Sequence, residues 1–163
     1  TLVHKATELL QPGDVLVIEA GGDRRHAPVG GMVALAARQR GELGIVVDGV
    51  CTDRAELQQL GFPVFARGTS LLTTKLLGTP DGALNLPVSC GGVAVHPGDL
   101  VLADVNGVLF LRPSEAAALL PEVEARERRT EERRRRLLEG ASLADLSGAN
   151  AALERLLRPP RGS

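Results

Sequence analysis

The chain has no tryptophan and no tyrosine, and only three phenylalanines among 163 residues. Few rings are available to stack on bases, which argues against a single-stranded nucleic-acid partner. The 19 basic and 20 acidic residues leave a net charge of −1, so no excess of positive charge points to a phosphate backbone. No apolar run approaches the roughly 20 residues of a membrane span, and no signal-peptide pattern is visible. No membrane partner is therefore expected. Cysteine is scarce: Cys51 and Cys90 lie far apart and form no CxxC pair. That excludes a disulfide scaffold and reads both as reduced, packed thiols of a cytoplasmic protein.

What is present is a normal supply of core. Hydrophobic residues make up 44% and charged residues 24%, enough for a globular domain of this length. Nineteen glycines and ten prolines predict many tight turns. Residues 1–10 have helical spacing, with Leu2, Ala6, Leu9 and Leu10 on the apolar face. After the turn Gln11-Pro12-Gly13-Asp14, the run Val15 to Ile18 predicts a strand buried on both faces. Gly21 to His26 reads as a glycine-rich loop, and Ala27 to Arg40 as a helix. Gly30-Gly31 near the start of that helix predicts close approach of a backbone or a ligand, because each glycine costs the helix about 1 kcal/mol.

Ile45-Val46-Val47 predicts a second buried strand, ended by Asp48-Gly49. A short helix is then expected from Asp53 to Leu60, with Asp53 and Glu56 spaced as in a capping box. A carboxylate just after a buried strand suits either a helix cap or chemistry at the sheet edge. Phe62 to Ala66 reads as a short strand and residues 67–84 as a long irregular connection containing Lys75. From Asn85 onward the pattern is β: Leu86 to Val88, Gly92 to Val95, Leu100 to Ala103 and Val108 to Leu111. Turn signals at His96 to Asp99 and Asp104 to Gly107 predict hairpins joining the last three. Ser114 is expected to cap a charged helix running to about Glu139, with Gly140 at its C-terminal cap. That helix reads either as a solvated element with internal ion pairs or as an arm toward a neighbouring subunit. Ala141 to Leu157 is expected to form one more short helix, and the tail after it to be disordered. His4 and His96 read as structural residues.

Taken in order, these motifs resemble a known family. They are His4-Lys5-Ala6, Pro12-Gly13-Asp14-Val15-Leu16, Gly21-Gly22 with Ala27 and Gly30, Asp48-Gly49 followed by Asp53, Pro63-Val64-Phe65, Gly91-Gly92-Val93, Pro97-Gly98-Asp99, and Ala103-Asp104 with Asn106-Gly107-Val108. The chain resembles the divalent-metal-dependent 4-hydroxy-4-methyl-2-oxoglutarate aldolases and oxaloacetate decarboxylases, a family that includes the regulator of ribonuclease E activity (RraA). The resemblance implies an α/β fold, the swivelling β/β/α domain, over residues 1–112. A C-terminal helical extension over 113–157 and a tail over 158–163 would follow. It implies several tens of residues upstream of His4 and a homotrimer or dimer of trimers with active sites between subunits. It also implies Mg²⁺ or Mn²⁺ as cofactor and a small 2-oxo acid as substrate, cleaved at a carbon–carbon bond through an enolate that the metal stabilises.

The same resemblance makes Asp53 the metal ligand, completed by a glutamate of a neighbour's charged helix, Glu127 first and Glu131 second. It places Gly21, Gly22, Asp23, Gly30, Gly31 and Thr52 around the substrate. Arg24, Arg25 and His26 become candidates for charge-assisted contacts and catalysis. Two positions depart from the family pattern. Thr52 stands where the family has an arginine that grips the substrate, and Gly31 where it has an acid that orients a water for proton transfer. Asn106, where an aspartate is common, is a milder change. Three functions follow as expectations: the metal-dependent lyase, a non-catalytic regulatory or binding protein, or the scaffold reused for another reaction.

Overall fold

The structure, a computed structural model, describes residues 2–74 and 82–157. It divides into two compact units, Thr1–Pro113 and Ser114–Ser163. Lys75 and the tail 158–163 lie outside the described residues.

The first unit is built on a parallel three-stranded sheet. Helix α1 (Leu2–Leu9) leads into β1 (Val15–Asp23). A short strand β2 (His26–Ala27) precedes α2 (Gly31–Gln39), which leads to β3 (Gly44–Cys51). Helix α3 (Arg54–Leu60) and strand β4 (Val64–Thr69) complete the repeat. The sheet order is β1-β3-β4, all parallel. All eight residues of β3 are buried, as a continuous apolar run in the middle of a parallel sheet must be. Ile45 and Val47 pack with Val29, Val33, Ala34 and Ala37 on one face of the sheet. On the other, Val46 packs with Cys90 and Val95. Both cysteines are free and buried, and burial pushes both thiols above their ordinary pKa.

Several local expectations shift. The inner face of α1 is Val3, Ala6, Thr7 and Leu10, a helical i, i+3, i+4, i+7 set. Leu2 and Leu9 are on the exposed side. The first half of the expected glycine-rich loop, Gly21–Asp23, is the end of strand β1. Gly21 (φ 61°) and Gly22 (φ 72°) are both left-handed, and they sit where the register between β1 and β3 slips, between Ile18 and Asp23. Only glycine takes two such residues in succession without strain. Helix α2 consequently begins at Gly31 rather than Ala27. Part of the expected irregular connection is strand as well: β4 runs to Thr69, and β5 (Leu72–Thr73) pairs with β2.

Strand β6 (Val88–Cys90) forms a hairpin with β7 (Val93–Val95), and β8 (Leu100–Asp104) forms one with β9 (Gly107–Leu111). The His96–Asp99 turn does not make a hairpin, because β7 and β8 belong to different two-stranded sheets. It closes on itself instead: His96 N–H donates to the Asp99 carboxylate at 2.8 Å. A groove of about 540 Å³, lined by residues such as Phe65, Cys90 and Phe110, carries the Arg67–Asp48 ion pair at its margin. Glu42 lies after α2 and before β3 and is 4% exposed, with both carboxyl oxygens lacking a hydrogen-bond partner among the described residues.

The second unit is helical. Helix α4 (Pro113–Leu138) starts on Pro113, whose fixed φ and missing N–H suit a first helical position, so Ser114 lies inside it. Arg135 bonds Glu132 at 2.8 Å and Glu139 at 2.5 Å, and Arg134 faces Glu131 at 3.6 Å. Gly140 (φ 94°) ends the last turn, donating to the Leu137 carbonyl at 3.0 Å. Two helices follow where one was expected, α5 (Leu143–Ser147) and α6 (Ala149–Leu157). Gly148 (φ 77°) separates them. No described helix in either unit is long and apolar enough to cross a membrane.

Candidate active site at the C-terminal edge of the parallel sheet

Parallel strands joined by crossovers bring their C-terminal ends to one edge, and side chains that follow those ends converge there. In this chain the edge carries the Asp23–His26 turn after β1, Thr52 and Asp53 after β3, and Ser70 after β4. Main-chain hydrogen bonds lace them together. Thr52 N–H donates to the Val29 carbonyl at 2.9 Å, and Ser70 N–H to the Cys51 carbonyl at 2.9 Å. Ser70 Oγ donates to the Arg25 carbonyl at 2.6 Å.

Asp53 occupies the N-cap position of α3 but does not cap it. Its backbone is left-handed (φ 55°, ψ 38°), and its side chain makes no hydrogen bond to its own helix. A left-handed non-glycine residue costs about 1–2 kcal/mol, and such strain persists only where its surroundings hold it. The hold is visible. Asp53 Oδ2 accepts the Gly31 N–H at 3.0 Å, and Oδ1 accepts the Thr52 hydroxyl at 3.2 Å. The carboxylate therefore sits at the positive end of α2, a neighbouring helix, where the helix dipole favours a negative charge. The expected capping box does not form: Glu56, on the first turn of α3, makes no hydrogen bond among the described residues.

The glycine pair explains how this is possible. A Cβ on Gly30 would lie 2.5 Å from Asp53 Oδ2 and 2.7 Å from Thr52 Cγ2. A Cβ on Gly31 would overlap the Glu56 carboxylate, all three atoms of it. The two carboxylates thus rest against one Gly30–Gly31 dipeptide, in space that side chains at those positions would fill. The close approach expected from the sequence occurs, and what approaches is a pair of acids. Glu56 is the residue that sequence reasoning placed only in a cap. Its signal was the Asp-x-x-Glu spacing together with Gly31, which leaves the space open.

The Asp23–His26 turn is organised by Asp23. Its carboxylate accepts the Arg25 N–H at 2.6 Å, the His26 N–H at 3.3 Å and the His26 ring at 2.9 Å. These bonds, the Arg25 N–H first, hold its carboxyl below the usual carboxylate pKa. The structure does not place Gly21–His26 at a helix start, because β2 and a further stretch separate it from Gly31. It does leave Arg24 and Arg25 exposed, with no ion-pair partner among the described residues. Glu127 is exposed on α4, and Glu131 faces Arg134 there. Among the described residues no three His, Cys, Asp or Glu gather into a metal cage.

Four similarities stand beside this geometry. The sequence pattern of the RraA-like family (aldolase/RraA) matches residues 1–110. A protein of Halalkalibacterium halodurans, provisionally named a 4-hydroxy-4-methyl-2-oxoglutarate aldolase, is 35% identical over 157 residues. The match covers 96% of this chain and 71% of that protein. The crystal structure of Streptomyces coelicolor RraAS2, described as an unusual member of the RNase ES inhibitor RraA family, is 33% identical. It covers 81% of this chain and 67% of its own, with a TM-score of 0.72. A Geobacillus kaustophilus structure named as an S-adenosylmethionine:2-dimethylmenaquinone methyltransferase is 37% identical. It covers 68% of each chain, with a TM-score of 0.64. The chain thus spans about two thirds of the length of these relatives, and their names point to three different activities.

Proposed function

The chain belongs to the RraA-like (aldolase/RraA) family, and from that premise we propose that it is a divalent-cation-dependent lyase cleaving a carbon–carbon bond of a small 2-oxo acid. The observation that carries this reading is Asp53, a strained carboxylate fixed by Gly31 and Thr52 at the N-terminus of α2. An ionised carboxylate offers about four acceptor positions. Gly31 and Thr52 use two, which leaves Asp53 able to hold a cation. Mg²⁺ or Mn²⁺ suits such a site because it takes one or two carboxylates and keeps several waters. Asp53 would hold it, with Glu127 of a neighbouring copy completing the shell in a homotrimer or dimer of trimers. When bound, the cation supplies a Lewis-acid charge that polarises the 2-oxo group.

The chain's own residues do the rest. Arg24 and Arg25, at the same sheet edge and without an ion-pair partner among the described residues, offer charge-assisted contacts to the substrate carboxylates. Asp23 holds the turn that carries them, and His26 is tied to that turn through its ring nitrogen. Thr52 lacks a guanidinium, so the grip on the substrate falls to these arginines or to Arg54, exposed on the first turn of α3. The absence of an arginine at Thr52 is also what favours the second reading, a non-catalytic regulatory or binding protein; the S. coelicolor relative is described as an unusual member of an RNase ES inhibitor family.

The test is pyruvate release from 4-hydroxy-4-methyl-2-oxoglutarate and from oxaloacetate, with Mg²⁺ or with EDTA, against protein-free controls. Release is expected only with metal and is expected to fall at least about 100-fold in Asp53→Asn. That variant keeps one acceptor oxygen, for the Gly31 N–H, turns its NH2 toward the Thr52 hydroxyl, which can accept, and loses the charge. Absence of both pyruvate release and Mn²⁺ binding would overturn the lyase reading and favour the binding protein.

A further inference from the structure

Carbon–carbon cleavage of a 4-hydroxy-2-oxo acid needs a group that takes a proton from the C4 hydroxyl and another proton delivery at C3. The edge of the sheet offers few candidates. Asp53 is engaged by Gly31 and Thr52, and the His26 ring by Asp23. Gly31 contributes no side chain. Glu56 remains: its carboxylate has no hydrogen-bond or ion-pair partner among the described residues. It is exposed and lies against the same glycine pair as Asp53, overlapping the place a residue-31 side chain would take.

We propose that Glu56 is the proton-transferring group of this site, and that Gly31 is glycine in order to admit it. The inference rests on the lyase reading and adds the residue that moves the proton. In the cleavage direction, Glu56 accepts the C4 hydroxyl proton while the C3–C4 bond breaks. The bond's electron pair passes into the C2–C3 double bond of pyruvate enolate, and C4 becomes a carbonyl carbon. Glu56 then returns the proton to C3, giving pyruvate and the second carbonyl product. One proton is borrowed and returned, so no oxidant, reductant or co-reactant is needed. A carboxylate next to a site for a bound cation and beside a helix N-terminus is well placed for such work, because the substrate's own charge is offset there.

The pairing of Gly31 with Glu56 makes a geometric prediction that does not depend on turnover. Gly31→Ala is expected to raise the urea midpoint less in the wild-type background, where the exposed Glu56 carboxylate must move aside, than in Glu56→Ala, where the space is free and alanine is the better helix former. An equal effect in both backgrounds would overturn the pairing.

The chemical arm uses the full chain with Mg²⁺. Glu56→Gln is expected to lower kcat by about 100-fold or more, as loss of a general acid–base does, with KM and Mn²⁺ affinity changed only a few-fold. The exchange of pyruvate methyl protons in D₂O is expected to fall in parallel. The double variant Glu56→Ala with Gly31→Asp, which returns a carboxylate from the other side of the same space, is expected to recover part of both. Wild-type cleavage with kcat retained in Glu56→Gln would overturn the inference and leave the lyase reading standing. Exchange that depends on Glu56, without release from either 2-oxo acid, would support the inference and refute those substrates. Neither exchange nor cleavage would overturn both.

Discussion

Glu42 gives the sharpest test of the fold's electrostatics. It is 4% exposed, neither carboxyl oxygen has a hydrogen-bond partner among the described residues, and its own N–H is spent on the Ala37 carbonyl at 3.2 Å. Burial is the main cause that raises its pKa from the ordinary 4.5 to about 7; the charge of Asp14 raises it further and Arg40 opposes. Below pH 4.5 the carboxyl is protonated in both folded and unfolded chains, and nothing is lost. Between there and pH 7 the unfolded chain sheds its proton while the folded one retains it, so stability falls as pH rises. Above pH 7 the folded chain carries the charge at full cost. The interval of about 2.5 pH units, at about 1.36 kcal/mol each, sets a ceiling of about 3 kcal/mol. Glu42→Gln keeps the shape and removes the titration. Its advantage over wild type is expected to grow by about 2 kcal/mol or more between pH 5 and pH 8.5, because a minor part of the cost is already present at pH 5. Other titrating groups are common to both proteins and cancel. Urea unfolding at the two pH values measures the difference. The same difference between wild type and variant at both, within about 0.5 kcal/mol, would refute an uncompensated carboxyl at this position.

Two further outcomes follow from the contacts described. Gly30→Ala puts a methyl group 2.5 Å from Asp53 Oδ2 and 2.7 Å from Thr52 Cγ2. It is expected to destabilise by about 1–3 kcal/mol and to weaken Mn²⁺ binding about tenfold or more, read by calorimetry; unchanged affinity would contradict the placement of Asp53. Arg67→Ala strips Asp48 of the guanidinium that, ahead of a Gly91 N–H, holds its carboxyl below the usual range. A depressed carboxylate contributes its stability above its unfolded pKa and loses it as pH falls through the folded value. The urea midpoint is therefore expected to drop at pH 7 and to differ less from wild type near pH 3, and a pH-independent drop would count against the ion pair.

The fold class was legible from local pattern. The run Ile45-Val46-Val47, uninterrupted by polar residues, reads as a buried strand, and β3 is buried throughout. The order of short motifs identified the RraA-like family that the comparison bears out. Gly30-Gly31 announced a close approach without naming what approaches. Less was legible where partners are distant in sequence. The sequence left Asp53 open between a cap of the helix after β3 and chemistry at the sheet edge; the structure turns its carboxylate to the N-terminus of α2, 22 residues earlier. Glu56 looked like the other half of a capping box and instead lies on Gly31. His96-Pro97-Gly98-Asp99 has every residue of a hairpin turn, yet the strands it joins pair with other neighbours.

The division has a physical basis. Apolar runs, capping residues and turn glycines act within a few residues along the chain, so composition and spacing determine them. The sequence alone therefore determined the presence of a parallel buried strand, its flanking helices and a carboxylate after it. Which helix that carboxylate serves depends on how β1 and β3 align across a crossover, and on the slip in their register at Gly21 and Gly22. Those are long-range choices fixed by packing. Only the tertiary structure decided that Asp53 and Glu56 meet over a glycine pair, because the space they share is made by the absence of side chains on a different helix.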